Sequence, residues 1–496
     1  MRKVMEMQLN FFCPEIDQIE FDLQSRDETP KFLIGLQAIY KDKKTRETVF
    51  EILKELTPKG INPGKGRKGM DLWKIFVLGM LRLNCNIDFD KLHELANEHK
   101  TLRMMLGHGK DNDRRYPLQT IKDNVMLFTP EILHKINKVT VDLGHKTVEK
   151  NPDEPLNGSC DSFVLETDVH FPTDINLLFD AVRNTIGTVA KLCHDLGLAG
   201  WREKKSNIKK VKRKFRKASM VKRSTSKNKE KKAQRVQLIK EAHQDYIDFS
   251  QNFLDKAQEI VKLIDVSDDI ILQARTFEIQ KYIDHGTRQI DQIRRRVIDG
   301  ESIPHHEKVF SIFEEHTEWI SKGKAGVPVE LGKRVCIVKD QYGFTLHHCV
   351  MENETDDQVA VPIVSETKKR FPNFKTCSFD KGFHSPDNQK KLAGILDHVY
   401  LPRKGNLSKA AKKIEFSDEF RQARRKHSAV ESSINALENH GLDRCRDHGI
   451  HGFKKYVAFA VVARNVQILG HIIQQKELKK KRRLEKKYFK ELPLAA

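Results

Sequence analysis

Phe374-Lys375-Thr376-Cys377-Ser378-Phe379-Asp380-Lys381-Gly382-Phe383-His384-Ser385 decides the fold. A short apolar run ends in a carboxylate, a glycine turns the chain, and Ser385-Pro386-Asp387 opens a helix. Open α/β sheets gather ligands and chemistry at such strand-to-helix turns, at the carboxyl ends of their strands. Asp380 is therefore either a functional carboxylate or simply a cap for the next helix.

Around this stretch the order of elements repeats. Val335–Val338 and Phe344–Val350 read as strands flanking the turn 339–343, followed by a helix over 356–370. After Asp380 come a helix over 387–392 and the strand Val399-Tyr400-Leu401. The pattern predicts an α/β domain, a mixed sheet with flanking helices.

A first strand lies far upstream. Phe163-Val164-Leu165 and Val169-His170-Phe171 read as strand, stopped by Pro172. By pattern Asp161 stands at its beginning, with Asp168 and Asp174 near its end. Any of the three is a candidate metal ligand, and two of them have the alternative of a turn or a cap. A third acidic position, Glu431, sits at the edge of a helical stripe formed by Val430, Ile434 and Leu437. From the edge a carboxylate reaches a neighbouring strand end without full desolvation.

The first 150 residues predict an all-α domain. Helices fall over 31–56, 71–83, 89–99, 101–106, 118–127 and 130–143. Short helices joined by tight turns build helix-turn-helix DNA readers, and equally any small bundle. The glycine-rich loop 59–69 lacks the G-x-x-x-x-G-K-[ST] order, which excludes a nucleotide-binding loop. Lys65, Arg67 and Lys68 in it either touch a DNA backbone or belong to a plain linker.

The chain carries 90 Lys and Arg against 69 Asp and Glu, a formal charge of +21. That surplus favours polyanionic partners, nucleic acid above all. It is concentrated: Arg202–Arg235 holds 17 basic residues and 2 acidic ones, or +15. The segment lies between helical stretches and includes Phe215 and Ala218. It reads as a basic helix or arm on DNA phosphates, contributing affinity without sequence choice, with a passive solvated linker as the alternative. The contacts expected are Lys209, Lys210, Lys212, Arg213, Lys214, Arg216, Lys217, Lys222 and Arg223. Arg424 and Arg425 join them from the helix before Glu431.

An antiparallel helical hairpin is expected after it. One face holds Val236, Ile239, Tyr246, Phe249, Phe253, Ala257, Ile260 and Ile264, and the other Ile270, Ile271, Ala274, Phe277, Ile283, Ile290, Ile293 and Val297. The eight cysteines show no zinc spacing and read as reduced, buried thiols of a cytosolic protein. No secretory start is present, and no run of about 18 apolar residues. A soluble, intracellular chain is the expectation.

Asp161-Ser162-x-Val164-x-Glu166-Thr167-x-x-His170-x-Pro172-Thr173-Asp174-x-x-Leu177-Leu178 resembles the first catalytic block of insertion-sequence DDE transposases, closest to the ISNCY-type group. Asp380-Lys381-Gly382-Phe383 is similar to that family's D-x-G-[YF] block, and His427-Ser428-Ala429-Val430-Glu431 to its terminal V-E block. The resemblance covers roughly 60–180 and 305–470. It implies an RNase H-like catalytic domain over 151–180 and 301–474, interrupted by a basic helical insertion over 181–300. The helical amino-terminal domain over 1–150 would bind DNA, and 475–496 would be a basic tail.

The resemblance further implies a catalytic, metal-binding triad of Asp161, Asp380 and Glu431, with Asp168 in reserve. It implies two Mg²⁺ ions, with Mn²⁺ as a substitute. The activity would be cleavage at mobile-element ends and strand transfer into target DNA. The partners would be double-stranded DNA, as terminal inverted repeats and as target, and further copies of the chain in a dimer or larger assembly. No membrane is involved, and a nucleoid-associated place in a prokaryotic cytoplasm is expected. One departure stands out: where relatives often carry Tyr, Arg and Lys around the glutamate, this chain has Arg424, His427 and Glu438. The competing readings are a catalytically inactive DNA-binding descendant and a metal-dependent nuclease without strand transfer.

Overall fold

The computed structural model describes residues 3–5, 15–57, 69–109, 114–221, 223–264, 269–321 and 328–491. Lys65, Arg67, Lys68 and Lys222 lie outside them. The chain divides into two compact units, Met1–Asp168 with Ile320–Ala496, and Val169–Trp319.

The first unit is built on a mixed sheet. Its central strand β1 (Leu156–Thr167) runs antiparallel to β3 (Val329–Asp340), with Gly158 opposite Asp340 and Glu166 opposite Gly332. β4 (Thr345–Val350) extends that side antiparallel to β3, and the short β2 (Glu318–Ser321) also lies beside β3. On the other side β5 (Phe374–Phe379) and β6 (His398–Tyr400) are parallel to β1. The two-residue β7 (Arg444–Cys445) pairs with the end of β1. The strand–strand, helix, strand, helix, strand order read from 335 to 401 is what forms. β2 and β7 escaped the sequence reading because neither is longer than four residues.

Helices α1 (Glu28–Lys41) and α2 (Lys43–Lys54) divide the expected 31–56 stretch at Asp42, and α3 (Leu72–Asn84), α4 (Phe89–Glu98), α5 (Lys100–Met105), α6 (Leu118–Val125) and α7 (Pro130–Thr147) match the other expected helices within a few residues. They are not walled off from the sheet: one hydrophobic core runs from Phe32 through Trp73 and Leu133 to Ile337, Phe374 and Phe459. All 13 residues of α3 are buried, so this helix presents no face to a DNA groove. Trp73 at its start fills the core and donates its indole N–H to Met105 O at 3.2 Å.

The core is closed by α17 (Gly449–Glu491). Its apolar part is long enough to cross a membrane by length and hydropathy, but 72% of that window is buried inside the unit, packed on α1, α3 and α7. It is a core helix, and the basic extension expected after residue 474 is its continuation. α1 and α17 cross at glycines. A Cβ on Gly35 would lie 2.1 Å from Val466 O, and one on Gly470 1.8 Å from Lys31 O. The seven described cysteines are all free.

Where α7 meets β4, three imidazoles pack together. His134 stacks on His348 at 4.3 Å between centroids and lies 5.2 Å from His347. Burial, with Arg370 nearby, holds His134 down to about 4 and His347 to about 2, and holds His348 well below its ordinary value. The unfolded chain protonates these rings near pH 6.5 while the native one does not. Native stability should therefore fall as pH drops from 6.5 to 4, by about 1.4 kcal/mol per pH unit for each of His347 and His348. Urea midpoints across that range, compared with His348→Gln, measure it. A variant that retains the full slope contradicts the assignment.

The second unit contains α8 (Asp174–Asp195), α9 (Lys204–Met220), α10 (Lys229–Ile264) and α11 (Ile270–Ile293). α9 is amphipathic in the expected way. Val211 and Ala218 are buried with Ile208 and Phe215 beside them, and Phe215 stacks on Phe179 at 5.2 Å. The hairpin faces need correcting. Ile270, Ile271 and Phe277 are 79%, 71% and 76% exposed, because α11 packs through Ile279, Ile283, Ile290 and Ile293. At 3.6 residues per turn, Ile270 and Phe277 fall on the side opposite Ile279.

Candidate active site

Parallel pairing of β1 with β5 ends at Cys160 opposite Phe379. The next residue on each strand is an aspartate, so Asp161 and Asp380 stand side by side. Asp161 is also paired with Ile337 on β3 and lies in the middle of β1, not at its beginning. The expected strand at Val169-His170-Phe171 does not form: β1 stops at Thr167 and 168–173 are irregular. Asp380 marks the point where β5 gives way to a single 3-10 turn, Lys381–Phe383.

Asp161 is half-buried, and its Oδ1 accepts the Ser162 N–H at 2.8 Å. Burial pushes its pKa up to about 7 in spite of that hydrogen bond, and the charges of Asp380, Asp356 and Glu431 push the same way. The charges of the other three carboxylates thus act on Asp161. Asp380 and Glu431 are exposed to solvent.

Glu431 occupies the first turn of α16 (Ala429–Leu437), where the helix dipole favours an anion. Val430 and Leu437 are buried and Ile434 half-buried, as the stripe predicted. Lys339 holds this turn against the sheet. It is 8% exposed and donates to Ala429 O at 2.6 Å and Ser433 Oγ at 2.9 Å, bracketing Glu431. One turn earlier, His427 closes α15 (Asp418–His427), its Nδ1 3.0 Å from Ser378 Oγ. Burial lowers its pKa, with Asp380 and Glu431 opposing. A cleft of about 1080 Å³ adjoins the group, lined by Ser159, Lys339, Ser378, Tyr400, Lys426 and Ala429 among others.

Asp168 is not brought to this group. It is exposed beyond the end of β1, seven residues or roughly 20 Å along the strand from Asp161, and pairs with Arg444 at 3.6 Å. Asp174 is likewise engaged elsewhere, with Arg296 at 2.9 Å. Asp356, the first residue of α12 (Asp356–Arg370), went unnoticed in the sequence because Thr355-Asp356-Asp357-Gln358 reads as an ordinary helix start. Of the basic residues, Lys209, Lys210, Lys212, Arg213, Arg216, Lys217 and Arg223 are exposed. Lys214 instead bonds Asp245 at 2.6 and 2.8 Å. Arg424 and Arg425 are exposed on α15.

The donors around Asp161 are hard oxygens, the chemistry that suits Mg²⁺ or Mn²⁺. Among the described residues no three His, Cys, Asp or Glu side chains stand in an arrangement that holds an ion as they are. The acidic side chains fit a hard cation by type, and chelation requires them to draw together.

Residues 291–466 match the family model described as transposase DDE domain, a finding consistent with an insertion-sequence DDE transposase. The match includes Asp356, Asp380 and Glu431 and begins after Asp161. No curated protein and no solved structure matches the chain.

Proposed function

We propose that this chain is a DDE transposase that cuts DNA at the ends of a mobile element and joins the 3′-ends to target DNA. The observation that carries the reading is the adjacency of Asp161 and Asp380 on β1 and β5, with the charge of Glu431 acting on Asp161. The antiparallel run β1–β3–β4 on one side, and the parallel β5 and β6 on the other, also suit an RNase H-like catalytic domain.

In this reading Asp161, Asp380 and Glu431 would hold divalent cations. Such ions stabilise charge on a phosphoryl oxygen and activate an oxygen nucleophile. The chain's own part is positional. β1 and β5 fix the two aspartates, Lys339 seats the turn that carries Glu431, and His427 stays with Ser378. Cleavage adds water across a P–O3′ bond, leaving a 5′-phosphate and a free 3′-hydroxyl. In joining, that hydroxyl displaces a 3′-oxygen of the target.

The exposed cationic face of α9 would lie on DNA phosphates. Each phosphate contact adds about 0.9 to the slope of log affinity against log salt. Replacing Lys209, Lys212 and Arg216 by glutamine should lower that slope for any duplex sequence. An unchanged slope would take α9 off the DNA. Pairing of two element ends would further require at least a dimer.

Asp161 gives a pH test. Its pKa near 7 is well above the ordinary 3.8, so at pH 6 the cation-free protein keeps a proton there. Mg²⁺ binding at pH 6 should expel it, and at pH 8.5 should release none. Calorimetry in buffers of different ionisation enthalpy measures the proton count, and equal counts at the two pH values would contradict the assignment.

The deciding experiment is a labelled duplex carrying the element's end sequence, incubated with Mg²⁺ beside Asp380→Ala. Nicking with joined products, lost in the variant, supports the transposase. Cleavage without joining makes the protein a nuclease, and binding without cleavage makes it a DNA-binding descendant.

A further inference from the structure

Asp356 lies between β1 and the turn that follows β5. Its Oδ1 accepts the Ser162 hydroxyl at 2.6 Å, and the Ser162 N–H is donated to Asp161 Oδ1 at 2.8 Å. Its Oδ2 lies against Gly382, two residues past Asp380, where an added Cβ would come within 2.9 Å of that oxygen. The glycine leaves room for the carboxylate.

Helix capping does not account for this placement. Thr355 caps α12, and Gln358 returns the bond in a capping box. The side chain of Asp356 is turned instead to β1. We propose that Asp356 is a positioning residue, tying Ser162 on β1 to the Gly382 turn and so setting the spacing at which Asp161 and Asp380 meet a divalent cation. The inference rests on the reading of the acidic site as a cation site.

Outer partners of metal ligands typically control affinity by 10–100-fold. Binding of Mn²⁺ to the DNA-free, full-length chain, followed by calorimetry, tests the proposal without reference to activity. Asp356→Ala should bind about 10–100-fold more weakly at the acidic site. Asp356→Asn, whose amide oxygen still accepts the Ser162 hydroxyl, should stay closer to wild type than to the alanine variant. Ser162→Ala removes the same hydrogen bond from the other end and should weaken Mn²⁺ as well, which keeps the test open if Asp356→Ala does not fold.

Wild-type affinity in Ser162→Ala or in a folded Asp356→Ala overturns the proposal. So does an asparagine variant as weak as alanine, which would make Asp356 a ligand acting by charge. Asp161→Asn separates the two levels. If it binds Mn²⁺ like wild type, the cation-site reading itself fails and the proposal with it. If it binds weakly while Asp356→Ala does not, only the positioning role is lost.

Discussion

Replacing Asp380 by asparagine is expected to lower strand cleavage by on the order of 10³-fold or more, with duplex binding largely kept. Losing a cation's stabilisation of a phosphoryl transition state costs several kcal/mol, and each 1.4 kcal/mol is a factor of ten. Asparagine preserves the size of the side chain but gives up the charge. Asp380 is exposed at the end of β5, so the change should leave the melting temperature near wild type. Single-turnover cleavage of a labelled duplex measures the loss, and filter binding measures the retention. A variant that cleaves within tenfold of wild type would remove Asp380 from the proposed triad. Asp161→Asn and Glu431→Gln should behave alike, since residues that act as one unit fail together.

The second large effect concerns stability. Gly470→Ala is expected to cost about 3 kcal/mol, the upper end of the overpacking range. Its Cβ would stand 1.8 Å from Lys31 O and 2.8 Å from Gly35 N, both backbone atoms that no rotamer change can move aside. α1 and α17 would have to separate, opening the core between them. Gly187→Ala on α8 is the contrasting case. There the nearest neighbour is the flexible end of Lys204 at 3.5 Å, so the better helix former should stabilise by up to about 1 kcal/mol. Guanidinium unfolding of both variants decides the matter. Equal effects would mean that the α1–α17 crossing is not as tight as described.

How much of this could be read in advance follows from particular residues. Asp380 was legible because a strand, a carboxylate and a glycine turn are adjacent in sequence. Glu431 was singled out mostly by the resemblance of its V-E block, its apolar stripe adding only the edge placement. What brings Asp380 to Asp161 is strand register, set by pairing across more than two hundred residues, and what seats the turn of Glu431 is the hold of Lys339 on α16; no local pattern encodes either. Asp356 hid for a different reason: an acidic residue opening a helix has an ordinary explanation, and only the 2.6 Å contact with Ser162 contradicts it. Phe277 misled because apolar residues on both sides of α11 let either face pass for the buried one. Lys339 was passed over as part of a polar turn. Its burial depends on α16, which arrives ninety residues later to receive its hydrogen bond.

β1 sits at the centre of the sheet, yet its antiparallel partner is made late. Between Thr167 and Val329 the ribosome must synthesise the whole of the second unit. At about 5–20 residues per second that interval lasts roughly 8–30 s. During it β1 has no strand to pair with on either side, and an unpaired, apolar strand edge is an invitation to other chains. Helices α1–α7 have already been made by then, and Leu156, Cys160 and Leu165 share their core in the finished protein. Slowing translation within 169–319 would lengthen this window and should raise the insoluble fraction. Slowing it after residue 400, once β3, β5 and β6 have been made, should not.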